Sequence, residues 1–276
     1  MGYRTQGSQG AFTSWGSTNF YSALKAAITP AGIVVTVENE DHDITNLGVE
    51  AAVMLPGLAS WTAQVDALAF ATPRMGNVGT VTFGAGTAPV HIDEWEWTIQ
   101  CGVVDITEFA STPGSGPTWK SFMPLGPSTV NGRLKASATS SAATVLPDVI
   151  GTASRTVTLV YGDSATDEQI SGTAILKQLG QTVRKGSVNT AEYAFDGAAA
   201  WTPAGTAGVF GSTAFGLPLW SQGGAAVGAL VASTLSGSRT LSGADSFWSQ
   251  LSVKCGVGRP VEVSVSVQGV GALTSA

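Results

Sequence analysis

The chain reads as a mainly β protein made of two copies of one β-sandwich unit. Three observations predict this. Its 35 glycines, set among abundant Ser, Thr, Val and Ala, favour strands joined by tight turns over helices. Ten segments have the length and alternation of strands. An ordered series of residue matches recurs along the chain, as expected of an internal duplication.

The strand candidates are residues 33–38, 61–70, 78–83, 94–104, 129–137, 156–162, 173–184, 189–196, 245–255 and 260–268, each alternating or β-branched. Residues 18–28 (TNFYSALKAAI), ahead of Pro30, have a short helix's composition. Residues 142–150 form a second helix candidate, interrupted by Pro147.

The clearest repeat pairs 156–202 with 227–274. Leu159-Val160 matches Leu230-Val231 and Ile170-Ser171-Gly172 matches Leu241-Ser242-Gly243 at one offset. One inserted residue later come Gln178-Leu179 with Gln250-Leu251, and Gly186, Gly197 and Thr202 with Gly258, Gly269 and Thr274. A second pair lies upstream, where Asp43-Ile44-Thr45 recurs as Asp105-Ile106-Thr107. Met54, Gly57, Val65 and Ala67 then correspond to Met123, Gly126, Leu134 and Ala136, the second copy carrying the longer loop 111–120. The halves therefore run first, first, second, second. Nesting explains that order: a continuous inner unit, 77–205, is inserted into an outer unit made of 1–76 and 206–276. Pro73 and Gly76 mark one junction and Pro203 to Gly205 the other.

Composition narrows function. Charged residues are 12% of the chain, about half the usual share, so an apolar surplus needs burial. No run reaches the ~18 apolar residues of a spanning helix; IVVTV at 33–37 and AAVGALVA at 225–232 have the length of buried strands. Residues 1–6 lack the basic and apolar segments of a secretory signal. The expected sink is other copies of the protein, with no membrane involved. A net charge of −6 argues against a surface that grips phosphates. Two cysteines, Cys101 and Cys255, do not make a disulfide framework and are expected as reduced thiols.

Catalytic chemistry needs convergent titratable groups, and none is legible. His42, within Glu40-Asp41-His42-Asp43, reads as a solvated acidic turn. His91 has no second ligand at metal spacing, and neither cysteine has a nearby His to make a thiolate nucleophile. The glycines at 84–86 and 223–224 fit no phosphate-binding pattern. Asp163, Asp167 and Glu168 depart from calcium-loop spacing. The chain is expected to be no enzyme and to carry no cofactor or metal.

Several segments resemble a known family. Glu94-Trp95-Glu96-Trp97, Val104 to Phe109, Trp119-Lys120-Ser121-Phe122, Pro124-Leu125-Gly126 and the ending Gly258 to Thr274 together are similar to the major tail tube proteins of long-tailed bacteriophages. The inner unit departs at Ala198-Ala199-Ala200, and the outer unit lacks the long loop after Thr45. The resemblance implies tail-tube-like sandwiches flanked by a helix, each giving strands to a ring-forming inner β-barrel. Six units would close a ring, and stacked rings would conduct genomic DNA without binding it specifically. With two units per chain, three chains close a ring carrying about −18 in all. Implied partners are further copies, a tape-measure protein and tail-tip proteins, in a virion tail assembled in the host cytoplasm. The loop 107–122, with Phe109, Trp119, Lys120 and Phe122, is the candidate inter-ring contact, against the alternative that its aromatics cover the unit's own core. Asp43, Thr45, Asp105 and Thr107 are the repeated turn signature. Competing readings are another virion part (tail terminator, injection-device tube or capsid decoration protein) and a secreted carbohydrate-binding sandwich using Trp15, Trp95, Trp97, Trp201 and Trp220.

Overall fold

The computed structural model describes residues 13–15, 18–19, 28–45, 51–68, 80–83, 92–108, 118–138, 154–161, 169–199, 201–204, 228–233 and 240–275. Every regular element among them is a strand. In chain order these are β1 (Thr13–Trp15), β2 (Thr18–Asn19), β3 (Ile28–Asp43), β4 (Met54–Leu68), β5 (Thr80–Phe83), β6 (Ile92–Asp105) and β7 (Phe122–Ala138). There follow β8 (Ser154–Val160), β9 (Gln169–Thr182), β10 (Asn189–Gly197), β11 (Thr202–Ala204), β12 (Gly228–Ser233), β13 (Thr240–Gly256) and β14 (Glu262–Ser275). The mainly β class is thus correct, and all ten expected strands are present, several longer than their alternation indicated. The helix expected at 18–28 is not formed at its ends, which lie in β2 and β3. Residues 20–27 and the second helix candidate fall outside the described residues, as do His91, the glycines at 84–86 and 223–224, and the acidic loop 163–168.

All pairings named here are antiparallel, and their order appears twice. One run is β3-β4-β14-β13-β12-β1; the other is β6-β7-β10-β9-β8-β5. The runs meet where the second half of β13 pairs with β6, from Gln250 opposite Gln100 to Gly256 opposite Glu94.

Strand register refines the residue correspondences. Ser171 lies opposite Thr202 and Ser242 opposite Thr274, in accord with the sequence matches. Ser171 also faces Thr158, whereas Ser242 faces Val231. The match of Leu159-Val160 to Leu230-Val231 therefore moves by two residues, which keeps each side chain on its face. In the hairpins, Met54 faces Asp43 as Phe122 faces Asp105, and Pro56 faces Asp41 as Pro124 faces Val103. Phe122 and Leu125, one residue before the expected Met123 and Gly126, are thus the counterparts of Met54 and Gly57. A bulge of different length in each hairpin, near residues 39–41 and 100–102, absorbs the slip.

Alternation gives each strand an apolar face and a polar face. Trp61, Ala63, Val65 and Ala67 of β4, Val263, Val265 and Val267 of β14, and Trp95, Trp97 and Ile99 of β6 join one core with Leu134, Tyr193 and Phe195. Trp95, Trp97 and Trp201 are buried to 4% exposure or less, which removes them as a sugar-stacking surface. Neither Cys101 nor Cys255 is in a disulfide and both are buried, and burial raises the Cys101 thiol pKa.

Candidate assembly surfaces

Among the described residues, three kinds of surface lack a covering element: open strand edges, chiefly those of β3 and the second half of β9, the polar face, and the hairpin ends.

The edges follow from the pairing. β3 bonds β4 on one side and has no partner on the other among the described residues. β9 bonds β10 over Ala174–Thr182, but β8 covers it only from Gln169 to Ile175. Among the described residues its second half is therefore open on the β8 side, where the corresponding half of β13 bonds β6. Unpaired edges present rows of backbone donors and acceptors that natural sheets cover or blunt. On β3 this edge exposes valines, Val34 at 54% and Val37 at 50%, and Val183, just past the end of β9, is 75% exposed.

The β13–β6 seam shows what such an edge looks like when covered. Ile99 and Cys255 are at most 2% exposed there. Thr98 and Ser252 place their hydroxyls 2.7 Å apart, and Lys254 pairs with Glu94 at 3.1 Å. Val257 N–H donates to the Asp93 carbonyl, extending the seam past the strand.

On the polar face, β6, β7, β9, β10 and β13 present Glu94, Glu96, Glu192 and Asp196 against Arg133, Lys135, Lys177 and Lys254. The signs are interleaved across strands: Glu94 faces Lys135, Glu96 faces Arg133, and Lys135 faces Glu192. Lys177 bridges Asp196 at 3.0 Å. Over β4 and β14 the face is nearly neutral, with Thr62, Gln64, Ser264, Ser266 and Gln268 and hydrogen bonds from Ser264 and Gln64 to Asp66. The face is therefore close to charge-balanced, with a modest acidic excess from Glu38, Asp66 and Glu262.

At the hairpin ends, the signature residues build the same turn twice. Thr45 N–H donates to Asp43 Oδ1 at 2.9 Å and Val53 N–H to Thr45 Oγ1 at 2.8 Å. Thr107 N–H donates to Asp105 Oδ1 at 2.9 Å and Ser121 N–H to Thr107 Oγ1 at 2.8 Å. The hydrogen bonds from Thr45 and Thr107 hold both carboxyls below their ordinary pKa. Glu40, Asp41, His42 and Asp43 extend β3 as exposed strand, where a turn was expected. The ends also expose Ile44, Met54 and Leu55 on one hairpin and Val103, Ile106, Met123 and Leu125 on the other.

Of the expected inter-ring residues, Phe109 lies outside the described residues. Trp119 and Phe122 are half-buried against the core. The segment carrying them crosses between the two strand runs. Ala59 N–H donates to Thr118 O, Lys120 N–H to Ala59 O, and Gly271 N–H to Lys120 O. Lys120 also pairs with Glu40 and, at 3.7 Å, with Asp105. Hydrogen bonding to Glu40 raises its pKa. Sequence reasoning placed this segment in a loop and missed the open half of β9, because only pairing shows which flank of a strand lacks a neighbour.

No family model and no curated protein matches the chain. Among solved structures it is similar to a chain described as "Virion of native gene transfer agent (GTA) particle", at 9% identity and a TM-score of 0.32, over 45% of this chain and 94% of that one. A likeness of that size decides nothing about role.

Proposed function

We propose that the protein is a structural component of a phage-like virion that polymerises into the wall of a hollow tail tube, performing no reaction and using no cofactor. It comprises two copies of one unit, the outer from 1–76 and 206–276 and the inner from 77–205. Three chains close each ring, and stacked rings conduct DNA past a polar lining.

The observation that carries this reading is the β13–β6 seam. It joins two runs of identical strand order edge to edge, and among the described residues that joint leaves matching edges free on β3 and on the second half of β9. A head-to-tail contact of this type generates a closed ring or an open helix, and ring closure removes the exposed edges. The interleaved charges of the polar face support the conduit role, since they offer phosphates no contiguous basic track. The exposed apolar residues of the hairpin ends suit axial stacking of rings, with the described ends of the loop, 107–108 and 118–122, adjoining them. The motif resemblance described above supplies the tail assignment, the tape-measure and tail-tip partners, and the virion location.

Electron microscopy with native mass spectrometry of the purified protein tests the proposal. Hollow rings or tubes with three chains per ring are expected. Monodisperse monomers at high concentration would overturn it, and six chains per ring would overturn the stoichiometry.

A further inference from the structure

We infer that one copy joins the next by direct antiparallel pairing of the open half of β9 with β3, in a register set by the internal seam: Thr36 opposite Gly180, with Val37 opposite Leu179 and Val34 opposite Thr182. This rests on the self-assembly proposed above and specifies its contact.

The register follows from equivalences on both sides of the seam. Val37 faces Trp61 on β4 as Ile99 faces Val130 on β7, and both pairs precede the hairpin bulges, so Thr36 corresponds to Thr98. Gln250 faces Ser266 as Gln178 faces Ala194, so Gly180 corresponds to Ser252. Thr98 lies opposite Ser252. Transferred to the free edges, that pairing sets Thr36 opposite Gly180.

Exposure agrees with it. Val37 and Val183, 50% and 75% exposed, are the counterparts of Ile99 and Cys255, which the internal seam buries to 2% and 1%. Val37 on β3 and Val183 just past β9 are exposed at the positions where a strand from another copy would cover them, and a second copy holds the complementary edge.

The two seams nevertheless differ in chemistry. Lys254 and Ser252 correspond to Thr182 and Gly180, and Glu94 to Gly32, so the Lys254–Glu94 ion pair and the Thr98–Ser252 contact have no counterpart. The copy-to-copy seam is held by backbone hydrogen bonds and apolar contact, and it is the joint at which a ring opens.

Paired cysteines test the register. Gly180 has room for a Cβ, its nearest neighbour being 3.9 Å away, and Thr36 is exposed. Directly opposed residues lie within disulfide reach, whereas positions offset by two do not. Oxidised T36C/G180C should run on a non-reducing gel as a covalent trimer reverting to monomer with reductant, and T36C/Q178C should remain monomeric. Amides of 34–38 and 178–182 in the unmodified protein should gain at least about tenfold exchange protection on assembly, and 1 M NaCl should leave the rings intact. Rings by microscopy without the T36C/G180C crosslink, or with T36C/Q178C crosslinked instead, would overturn this register while leaving self-assembly standing. Absence of any assembly would overturn both.

Discussion

The run β3-β4-β14-β13-β12-β1, here the outer run, and the run β6-β7-β10-β9-β8-β5, the inner run, solve one packing problem from opposite directions. In each, two glycines on neighbouring strands leave a slot that an indole fills. In the outer run the glycines are Gly243 and Gly269, and Trp61 of β4 covers both, its Nε1–H donating to the Gly271 carbonyl at 3.0 Å. In the inner run the glycines are Gly172 and Gly197, and the indole is Trp201, just before β11. The position equivalent to Trp61 is Val130, and the position equivalent to Trp201 is Leu273, so each run carries one indole and one aliphatic with their places exchanged. A Cβ at Gly172 or Gly243 would collide with the ring, which fixes those glycines wherever the indole originates. The slot constrains filled volume and leaves open which strand supplies it.

Substitutions at equivalent positions can break this comparison. The largest effect is expected at the seams. Ile99→Asp buries a charge in the core and should cost more than about 4 kcal/mol in denaturant unfolding. Val37→Asp at the equivalent free-edge position should leave the unfolding midpoint nearly unchanged while abolishing rings. Equal destabilisation by both would mean that β3 is already covered within one chain.

Next in size is the indole exchange. Trp61→Ala and Trp201→Ala should each cost about 3–5 kcal/mol. Trp201→Leu combined with Val130→Trp, which rebuilds the inner slot in the outer pattern, should recover at least half of the loss from Trp201→Leu alone. No recovery would mean that the two slots differ in shape as well as in the source of the ring.

The smallest effect belongs to the turns. Asp43 and Asp105 sit below their ordinary value of 3.8 because they accept hydrogen bonds from Thr45 and Thr107. A lowered carboxyl contributes stability above its unfolded pKa and loses it as pH falls through the folded value, so both hairpin ends should hold at pH 5 and loosen well below pH 4. The Thr45 and Thr107 amide signals should report this by NMR titration. Both carboxyls are exposed, so overall stability should move little.

Strand existence and the repeat were legible because alternation and identical residues such as the Asp-Ile-Thr turn survive in the chain itself. Strand extents were not. β3 runs on through Glu40 to Asp43 because pairing with β4 keeps exposed polar residues extended, a tertiary effect that local composition does not encode. β11 is three residues long and exists through its pairing with β9. The burial of Trp95 and Trp97 was implicit in their alternation with Glu94 and Glu96, although the tryptophans also invited a surface reading. The edge surfaces could be found only once the two pairing orders were laid side by side.

The pairing of β4 with β14 has a consequence for biosynthesis. The indole of Trp61 bonds a carbonyl 210 residues downstream, a separation that makes closure slow and raises contact order. During translation β5 to β11 emerge with all their mutual partners, whereas β3 and β4 have only each other until β13 and β14 leave the ribosome. The same late strand, β13, supplies β6 with its second neighbour. A nascent chain therefore holds β3 and β4 as an isolated hairpin, marginal on its own, until the downstream strands exist, and the joined sheet forms only after synthesis has passed them.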